Sequence, residues 1–339
     1  MSTVVPKIYV LMCVYNEPLE WIMSSIDSIL TQTFNNIEFV IINDYPEREE
    51  LNDLLLKIGR IDNRVKIISN NENLGLTKSL NIGLDECKGK YIARMDADDW
   101  AYPNRLQIQY DYMEANPDII ASSALAYEWN GKDSLKKIYR PIDQSSIRTY
   151  TFTSSPFIHP LLILRAEILQ RYHIKYDEKF RRSQDYKLAV DLLKVGQISN
   201  CNEYLLKYRV SPQQITSRFG NEQVQLCKLI RRNYVNNYYS IYGIDRLDSK
   251  ITINTIKDNR NIESKLIKSG RIPDGEINEF RASMRAIRRI MYYSLSKYSL
   301  KSIFDFLLSN DYYHYPYNFR RFIVIILKHF KSEFIPKLL

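Results

Sequence analysis

The sequence predicts an α/β domain with a mainly parallel β-sheet, followed by a helical C-terminal region. Apolar runs of strand length alternate four times with segments of helical periodicity, and the links between them are short. This alternation is typical of parallel strands joined by right-handed helical crossovers. From about residue 221 onward, apolar residues recur at helical spacing instead.

Each element of the α/β part follows from its local pattern. The first strand, residues 8–14, is a continuous apolar run, which is typical of a strand buried on both faces. Pro18 follows, and proline is favoured at a helix start, so a helix is predicted from there as far as Leu30. The other predicted elements are strands at 37–42 and 65–68, helices at 47–58 and 76–84, and a fourth strand that runs from Tyr91 into Asp96.

The fourth strand ends in three carboxylates within four residues, Asp96, Asp98 and Asp99. Carboxylates this close repel one another unless a cation or hydrogen-bond donors offset their charge. In extended backbone Asp96 and Asp98 point the same way, and paired hard oxygen ligands suit Mg²⁺ or Mn²⁺ together with a substrate phosphate. The D-x-D motif therefore indicates a site for a divalent metal and a nucleotide diphosphate. The alternative interpretation is an Asp-rich turn that caps the following helix.

Two further polar clusters follow predicted strands. Tyr15 and Asn16 come directly after the first strand, and Asp44 comes after the second. Ligands of open parallel sheets bind beyond the carboxyl ends of the strands. We therefore expect these side chains and the three carboxylates to converge on one edge of the sheet.

Composition limits the class of protein. The 339 residues suffice for one large or two moderate domains. Four cysteines without pair spacing predict reduced thiols and argue against zinc. Residues 1–6 lack the basic start of a signal peptide, and no apolar stretch approaches the roughly 20 residues needed to span a bilayer. We expect a cytoplasmic protein.

The net charge of +9 is unevenly distributed. Residues 218–339 hold 22 Lys and Arg against 11 Asp and Glu, whereas residues 1–217 carry a net charge of −2. This asymmetry predicts a polyanionic partner for the C-terminal region. The sequence contains no nucleic-acid recognition motif, so we expect no binding to nucleic acid.

Several short segments occur in a fixed order and together resemble a known family. They are 14–17 (Val-Tyr-Asn-Glu), 25–33 (Ser-Ile-Asp-Ser-Ile-Leu-Thr-Gln-Thr), 38–44 (Glu-Phe-Val-Ile-Ile-Asn-Asp), 73–83 (Asn-Leu-Gly-Leu-Thr-Lys-Ser-Leu-Asn-Ile-Gly), 93–99 (Ala-Arg-Met-Asp-Ala-Asp-Asp), His159-Pro160, Gln184-Asp185-Tyr186 and Tyr208-Arg209. The ordered set covers about residues 6–217. It resembles the family 2 glycosyltransferases of the GT-A fold, of the kind that builds bacterial surface polysaccharides.

Two positions depart from the family's pattern. Asp44 is followed by Tyr45 and Pro46 where many relatives have a second Asp, Gly and Ser. Gln184 stands where a Glu often precedes the Asp of the base motif, although Gln-Asp-Tyr also occurs in the family.

The resemblance implies a GT-A domain over residues 1–217, with a donor half at about 1–100 and an acceptor half at about 101–217. The basic helical region then occupies residues 218–339. Asp44 would hydrogen-bond the nucleotide base, and Tyr15 would stack on it. Asp98 would be the direct metal ligand, and Asp96 would contact the ribose or the water shell of the metal. The implied donor-binding set is Val14, Tyr15, Asn16, Glu17, Asp44, Lys78, Arg94, Asp96, Ala97 and Asp98.

Alternatives remain at three of these charged positions. Arg94 and Lys78 either meet phosphate or are solvated charges on the surface. Asp99 either joins the site or caps the helix that starts near Pro103.

Asp185 is the candidate catalytic base. Transfer of a sugar requires a carboxylate that accepts the proton of the acceptor hydroxyl, and direct attack with one such base predicts inversion at the anomeric carbon. The alternative is that Asp185, at the start of an amphipathic helix, only interacts favourably with the helix dipole. By resemblance, His159, Gln184 and Arg209 lie near the diphosphate or the acceptor.

These interpretations predict a metal-dependent inverting glycosyltransferase. It would transfer a hexose or N-acetylhexosamine from a nucleotide sugar, most simply a UDP-sugar, to a saccharide or lipid-diphosphate-saccharide acceptor in O-antigen, capsule or exopolysaccharide synthesis. A nucleotidyltransferase is the enzymatic alternative, but no Gly-rich phosphate loop follows the first strand. A non-catalytic sugar-nucleotide-binding scaffold would have no reason to keep Asp96, Asp98 and Asp185 together.

The C-terminal region allows two interpretations. Residues 319–334 combine an apolar block with basic flanks, which suits peripheral contact with an anionic membrane at the inner face of the plasma membrane. The alternative is a basic helical subdomain whose apolar face packs on the catalytic domain. Four arginines are expected around one such face, which includes Ile287, Ile290, Met291, Leu295 and Tyr298; the arginines are Arg281, Arg285, Arg288 and Arg289.

Overall fold

A computed structural model describes residues 6–130, 136–210, 220–247, 251–293 and 295. The chain divides into two compact units. The first comprises Met1–Ile147 and Ser154–Ile230, and the second comprises Arg148–Thr153 and Arg231–Leu339. The predicted boundary at residue 217 stays a prediction.

The first part of unit 1 confirms the predicted alternation of strands and helices. Its strands β1, β2 and β3 pair in parallel with one another, and β1 also pairs in parallel with β4. All seven residues of β1 are buried, as expected for a central strand that is apolar on both faces. The elements are β1 (Ile8–Val14), α1 (Leu19–Leu30), β2 (Ile37–Asn43), α2 (Glu49–Ile61), β3 (Val65–Ser69), α3 (Leu76–Asp85) and β4 (Tyr91–Asp96).

The second part of unit 1 extends the same sheet. Its strand order is β3-β2-β1-β4-β8-β6-β9-β5, with β7 beside β6. β8 is antiparallel to both β4 and β6, so the sheet is mixed although its first half is parallel. The elements are β5 (Trp100–Ala101), α4 (Arg105–Ala115), β6 (Ile119–Trp129), β7 (Lys136–Ile138), α5 (Gln144–Thr151), whose residues from Arg148 onward belong to unit 2, β8 (Ile163–Arg165), α6 (Ala166–Tyr172), α7 (Gln184–Leu192) and β9 (Gln197–Arg209).

Two apolar clusters, one on each face of the sheet, form the core of unit 1. Val10 and Met12 of β1 belong to one cluster, and Tyr9 and Leu11 belong to the other. This division follows from the period of two residues in a strand, which sends alternate side chains to opposite faces. The predicted α/β fold with a mainly parallel sheet is confirmed.

Unit 2 is helical in its described residues, as predicted. Its core includes Phe280, Met284 and Ile287. Arg288 and Arg289 are buried rather than placed around the apolar face, and Arg288 donates to the carboxylate of Glu263, so that part of the prediction is wrong. The helices are α8 (Gly220–Ile241), which begins in unit 1, α9 (Ile253–Lys268) and α10 (Ile277–Tyr293).

Tyr298 and the segment 319–334 lie outside the described residues. Among the helices that the structure describes, none combines the length and the apolar character needed to cross a membrane.

Candidate active site at the carboxyl edge of the sheet

Three strands end at the same edge of the sheet. β1 ends at Val14, β2 at Asn43 and β4 at Asp96, and β1 is hydrogen-bonded in parallel to both of the others. Their carboxyl ends therefore lie side by side, which confirms that the polar residues after these strands share one edge.

The three carboxylates of this edge form one cluster. One carboxylate oxygen from each of Asp96, Asp98 and Asp99 lies within 4.8 Å of the others. Burial, together with the negative charges of Asp96 and Glu17, raises the pKa of Asp98 to about 7. Burial and its two acidic neighbours raise the pKa of Asp99 well above its ordinary value.

Two buried arginines lie beneath the acid cluster. Arg94 is 2% exposed, and its guanidinium donates to the carboxylate of Asp96 and to the carbonyl oxygen of Leu11. The alternative that Arg94 is a solvated charge is therefore wrong. Arg105 is fully buried and donates to the carbonyl oxygen of Arg94 at 2.6 Å, and burial lowers its pKa to about 9. Their positive charges offset the repulsion among the carboxylates.

Asp99 joins the cluster and does not cap a helix. α4 begins at Arg105, its N-cap is Asn104, and the side chain of Asn104 makes no cap hydrogen bond. Asp99 Oδ1 accepts instead from the backbone N–H of Arg209 at 2.8 Å. Asp99 Oδ2 is buried and has no hydrogen-bond partner among the described residues.

The polar face of α1 holds the segment that carries the carboxylates. Ser25 Oγ donates to the carbonyl oxygen of Asp96 at 2.7 Å, and Ser28 Oγ accepts from the backbone N–H of Ala101. Gln32 Nε2 donates to the carbonyl oxygen of Tyr102, just after β5, and Gln32 Oε1 accepts from the backbone N–H of Leu106 in the first turn of α4. These contacts give a structural reason for the Ser and Gln residues of segment 25–33.

The acid cluster fits a divalent cation. Three carboxylates supply hard oxygen atoms at close range, and Asp99 Oδ2 is a buried acceptor to which no group in the described part of the chain donates. Burial and the neighbouring carboxylates raise the pKa of Asp98, and both effects favour a bound proton or cation at this carboxylate.

Asp44 lies at the same edge but is held by the protein. Its carboxylate is 3% exposed and accepts from Asn70 Nδ2 and from the backbone N–H groups of Leu74 and Gly75. Gly75 has φ of 83°, a conformation that favours glycine, and it precedes α3. Asp44 thus positions the start of α3, and its contact with a nucleotide base stays a prediction.

Two tyrosines flank Asp44. The exposed ring of Tyr15 lies 5.0 Å from the ring of Tyr45, centroid to centroid. Tyr45 is one of the departures noted in the sequence, and it supplies an aromatic side chain at this edge.

The remaining predicted donor residues differ in burial. Glu17 Oε2 accepts from the backbone N–H of Tyr15, and burial raises the pKa of Glu17. Asn16 and Lys78 are exposed, and Lys78 lies in the first turn of α3. Val14 and Ala97 are buried, so they shape the edge through their backbone.

Asp185 lies in the first turn of α7, where the sequence predicted a helix start. Its negative charge acts on His159, Tyr176 and Tyr208. His159 is partly buried, its Nε2 lies 2.8 Å from the hydroxyl of Tyr176, and burial lowers its pKa to about 4. Gln184 is buried beside Asp185. Asp96 of the acid cluster also raises the pKa of His159, so the acid cluster and Asp185 both act electrostatically on this histidine.

Arg209, predicted to meet a diphosphate, has partners within the chain. Its guanidinium lies between two indole rings, 4.3 Å from Trp21 and 4.1 Å from Trp129. Its Nε donates to the carbonyl oxygen of Asp98 at 2.7 Å. Arg209 thus fixes the backbone of the acid cluster.

Sequence patterns did not single out three of the residues that position the site. These residues are Arg105, Trp21 and Trp129, and their roles depend on contacts that the folded chain brings together. The available signal was Arg105, which follows the acidic motif within one short loop.

Comparisons with known proteins agree with this architecture. The family model described as glycosyl transferase family 2 matches residues 9–173. A Haemophilus influenzae protein named as an uncharacterized glycosyltransferase is 30% identical over 89% of this chain and 90% of its own length. The amylovoran biosynthesis glycosyltransferase AmsE of Erwinia amylovora is 31% identical over 65% of this chain and 84% of its own length.

A solved structure shares the fold. The structure of residues 1–349 of S. aureus TarS in complex with UDP-GlcNAc superposes with a TM-score of 0.56 at 14% identity, covering 87% of this chain and 94% of that one. Since residues 9–173 match the family 2 model, and glycosyltransferases with 30% identity or more match over most of their length, the chain belongs to glycosyltransferase family 2.

Proposed function

We propose that this glycosyltransferase is a metal-dependent inverting enzyme that transfers one sugar from a nucleotide sugar to a saccharide acceptor. The observation that carries the proposal is the cluster of three carboxylates at the carboxyl edge of the sheet. Its position beside the ends of β1 and β2 is the position at which α/β sheets of this kind bind nucleotides.

The donor is proposed to be UDP-linked. The neighbouring structure of TarS contains UDP-GlcNAc, which supports a uridine nucleotide without selecting the sugar. Tyr15 and Tyr45 supply aromatic surface for the base, and Asp44, held by three internal donors, keeps the segment between β2 and α3 in place. Both hexoses and N-acetylhexosamines fit this proposal.

The proposed metal is Mn²⁺ or Mg²⁺, held by Asp98 and Asp96, with Asp99 completing the acid cluster. When bound, such an ion stabilises the negative charge that develops on the leaving diphosphate. Arg94 and Arg209 keep the carboxylates in position, one through the side chain of Asp96 and the other through the backbone of Asp98.

Asp185 is the proposed catalytic base. The acceptor hydroxyl must lose its proton as its oxygen attacks the anomeric carbon, and a carboxylate within hydrogen-bond reach can accept that proton. Attack opposite the departing diphosphate exchanges one C–O bond for another and inverts the anomeric configuration. His159 and Tyr176, joined to each other at 2.8 Å, share the electrostatic environment of Asp185 and are proposed to shape it.

We further propose a role in the synthesis of a surface polysaccharide such as O-antigen or capsule, with a saccharide or lipid-diphosphate-linked acceptor. The similarity to a glycosyltransferase named for amylovoran biosynthesis supports this role. A cytoplasmic location with peripheral contact to an anionic membrane completes the proposal, because the C-terminal region is strongly basic.

Calorimetric titration of UDP and of GDP, each with and without Mn²⁺, tests the donor site. We expect UDP to bind in a Mn²⁺-dependent manner and the Asp98→Ala variant to lose that dependence. Replacing exposed Asp111 by Ala gives a matched control, which should bind like the parent protein. Binding of GDP alone would contradict the choice of uridine, and binding of neither nucleotide would favour the non-catalytic scaffold.

A further inference from the structure

All three tryptophans of the chain lie on one surface around the end of β9. The guanidinium of Arg209 contacts Trp21 and Trp129, as described above. Lys207 Nζ lies 4.5 Å from the ring centroid of Trp100 and 5.7 Å from that of Trp129. We call this surface the aromatic face; it consists of Trp21, Trp100, Tyr102, Tyr127, Trp129, Tyr204, Lys207 and Arg209.

Strand register explains why these side chains meet. Lys207 of β9 pairs with Trp100 of β5 on one side and with Tyr127 of β6 on the other. The next position along each strand points the other way, and Leu206 and Ala126 are fully buried in the core. The aromatic face is therefore the outward side of the sheet at this corner, and its three tryptophans are partly exposed.

The aromatic face begins where the acid cluster ends. Trp100 directly follows Asp99 in the chain, and Arg209 binds both Asp99 and Asp98 through its backbone N–H and its Nε. A group that rests on these rings lies next to the proposed donor site. The acceptor of a sugar-transfer reaction must lie there, because its hydroxyl has to reach the anomeric carbon of the donor.

The chemistry of the aromatic face suits an acidic saccharide. A pyranose ring presents an apolar C–H side that an indole or phenol ring can cover, while its hydroxyls remain at the rim. Lys207 contacts the rings of Trp100, Tyr102 and Trp129, and no carboxylate among the described residues forms an ion pair with it. A cation held this way next to a stacking surface is available to an anionic substituent.

We infer that the aromatic face is the acceptor subsite and that the acceptor is a saccharide bearing an anionic group, which Lys207 contacts. The inference rests on the proposed transferase function. A lipid tail would satisfy the aromatic rings but would leave the ammonium of Lys207 without a counter-charge, so a saccharide is the better match.

Because every tryptophan of the chain belongs to the aromatic face, intrinsic tryptophan fluorescence reports on this surface alone. The probes are tetragalacturonic acid and its neutral methyl ester, which differ in charge but share the sugar backbone. The full-length protein is titrated with each in the presence of UDP and Mn²⁺. We expect saturable quenching by the acid and binding of the ester at least tenfold weaker.

The variants separate charge from stacking. Lys207→Gln should remove the preference for the acid, and Trp100→Phe should weaken both probes. Lys88→Gln is the matched control, since Lys88 is exposed before β4, at the opposite end of that strand from the acid cluster. Calorimetric binding of UDP serves as the check that each variant is folded.

Each outcome decides between the two proposals. If UDP binds and neither saccharide changes the fluorescence, the acceptor subsite is overturned while the proposed function stands. Equal binding of acid and ester would overturn the anionic acceptor, and quenching by anionic vesicles alone would assign the surface to lipid. If neither UDP nor a saccharide binds, both proposals fail.

Discussion

Buried positive charge allows three neighbouring carboxylates to exist in the folded chain. Arg94 and Arg105 lie in the interior directly under the acid cluster, and each is held by backbone carbonyl oxygens. A buried arginine without partners would cost several kcal/mol, so these contacts and the carboxylates stabilise each other. At the scale of single residues, the site consists of ion pairs and hydrogen bonds. Removing one of them can change the affinity for the nucleotide, the rate of transfer or the stability of the fold separately.

Asp185→Asn should separate chemistry from binding. The amide cannot accept the proton of an attacking hydroxyl, so we expect the rate of transfer to fall by roughly 10²- to 10⁴-fold, the usual contribution of a general base. UDP affinity should stay unchanged because Asp185 lies on α7, whereas the proposed donor site is formed by residues that follow β1, β2 and β4. Steady-state rates and calorimetry on the same protein provide both numbers.

The control for this variant lies on the same helix. Asp191→Asn alters a partly exposed acid that pairs with Lys187 and Lys194, so it should leave the transfer rate within about twofold. Transfer that persists in Asp185→Asn at the parent rate would assign the base to another residue.

His159 should make stability fall in mild acid. Burial, aided by the positive charge of Arg94, lowers its folded-state pKa to about 4, whereas the unfolded value is about 6.5. The unfolded chain therefore binds a proton that the folded chain resists. The stability contributed by neutral His159 is present above pH 6.5 and is lost as the pH falls toward 4. At about 1.4 kcal/mol per pKa unit, the loss is on the order of 3 kcal/mol.

Differential scanning calorimetry at pH 7.5, 6 and 4.5 checks this dependence. The His159→Gln variant should show a shallower decline in Tm than the parent protein, because the other titrating groups are common to both. His173→Asn serves as the matched control, since His173 is exposed and its φ of 51° suits asparagine. Parallel curves for parent and His159→Gln would show that His159 does not carry the effect.

At the scale of elements, close packing of α3 against β1 depends on a glycine. An added Cβ at Gly83 would lie 2.2 Å from Leu11 Cδ1, which is buried in the core. Gly83→Ala should therefore destabilise the fold by about 1–3 kcal/mol through overpacking. Combining it with Leu11→Val, which shortens the side chain, should recover part of that loss.

Gly59 provides the matched comparison, since it is also a helical glycine. Its added Cβ would meet only Ile67 Cγ1 at 3.5 Å, an ordinary contact. Gly59→Ala should stabilise the protein by about 0.5–1 kcal/mol because alanine is the better helix former. Urea unfolding of the single and double variants gives these differences. If both single alanine variants change stability in the same direction, packing at Gly83 is not the cause.

The sequence predicted the elements of the first sheet half closely because each central strand is apolar on both faces and each is followed by a helix. β1 and β3 begin at the predicted residues, and α3 differs from its predicted span only at its end. The second half was not predictable in this way. β8 has three residues, and its position between β4 and β6 depends on pairing with residues that lie more than 40 positions away in sequence.

The same distinction applies to the site. The carboxylates at strand ends could be located from sequence because the edge of a parallel sheet collects whatever follows its strands. The hydrogen bonds of Asp44 and the stacking of Arg209 on two indoles could not be predicted from the sequence. They join residues at least 26 positions apart, and the side chains involved follow no periodic pattern.

At the scale of the whole molecule, the two units differ in charge and in construction. Unit 1 places its acidic side chains at one edge of a sheet, and unit 2 is a helical unit with a separate core. Part of the basic charge of unit 2 is internal, since Arg288 is buried against Glu263 and Asn259. The remaining excess, together with the basic flanks of residues 319–334, is what an anionic surface could attract.

Vesicle binding measures that attraction. We expect the full-length protein to co-sediment with vesicles containing about a third anionic lipid and not with neutral vesicles, because basic segments gain about 1 kcal/mol per Lys or Arg near an anionic surface. Raising the salt from about 0.1 M to about 0.5 M should release most of the protein, since the screening length is only about 10 Å at 0.1 M and shrinks further as salt rises.

Removal of residues 319–339 tests which part of the region is responsible. The truncated chain lacks an apolar block and five basic residues, Arg320, Arg321, Lys328, Lys331 and Lys337, so its binding to anionic vesicles should fall at least tenfold. Retained UDP affinity would show that unit 1 is intact. A full-length variant with Arg320 and Arg321 replaced by Gln keeps the apolar block and isolates the charge. If the truncated chain binds as well as the parent, the charge that matters lies elsewhere in unit 2, and the tail has no part in membrane contact.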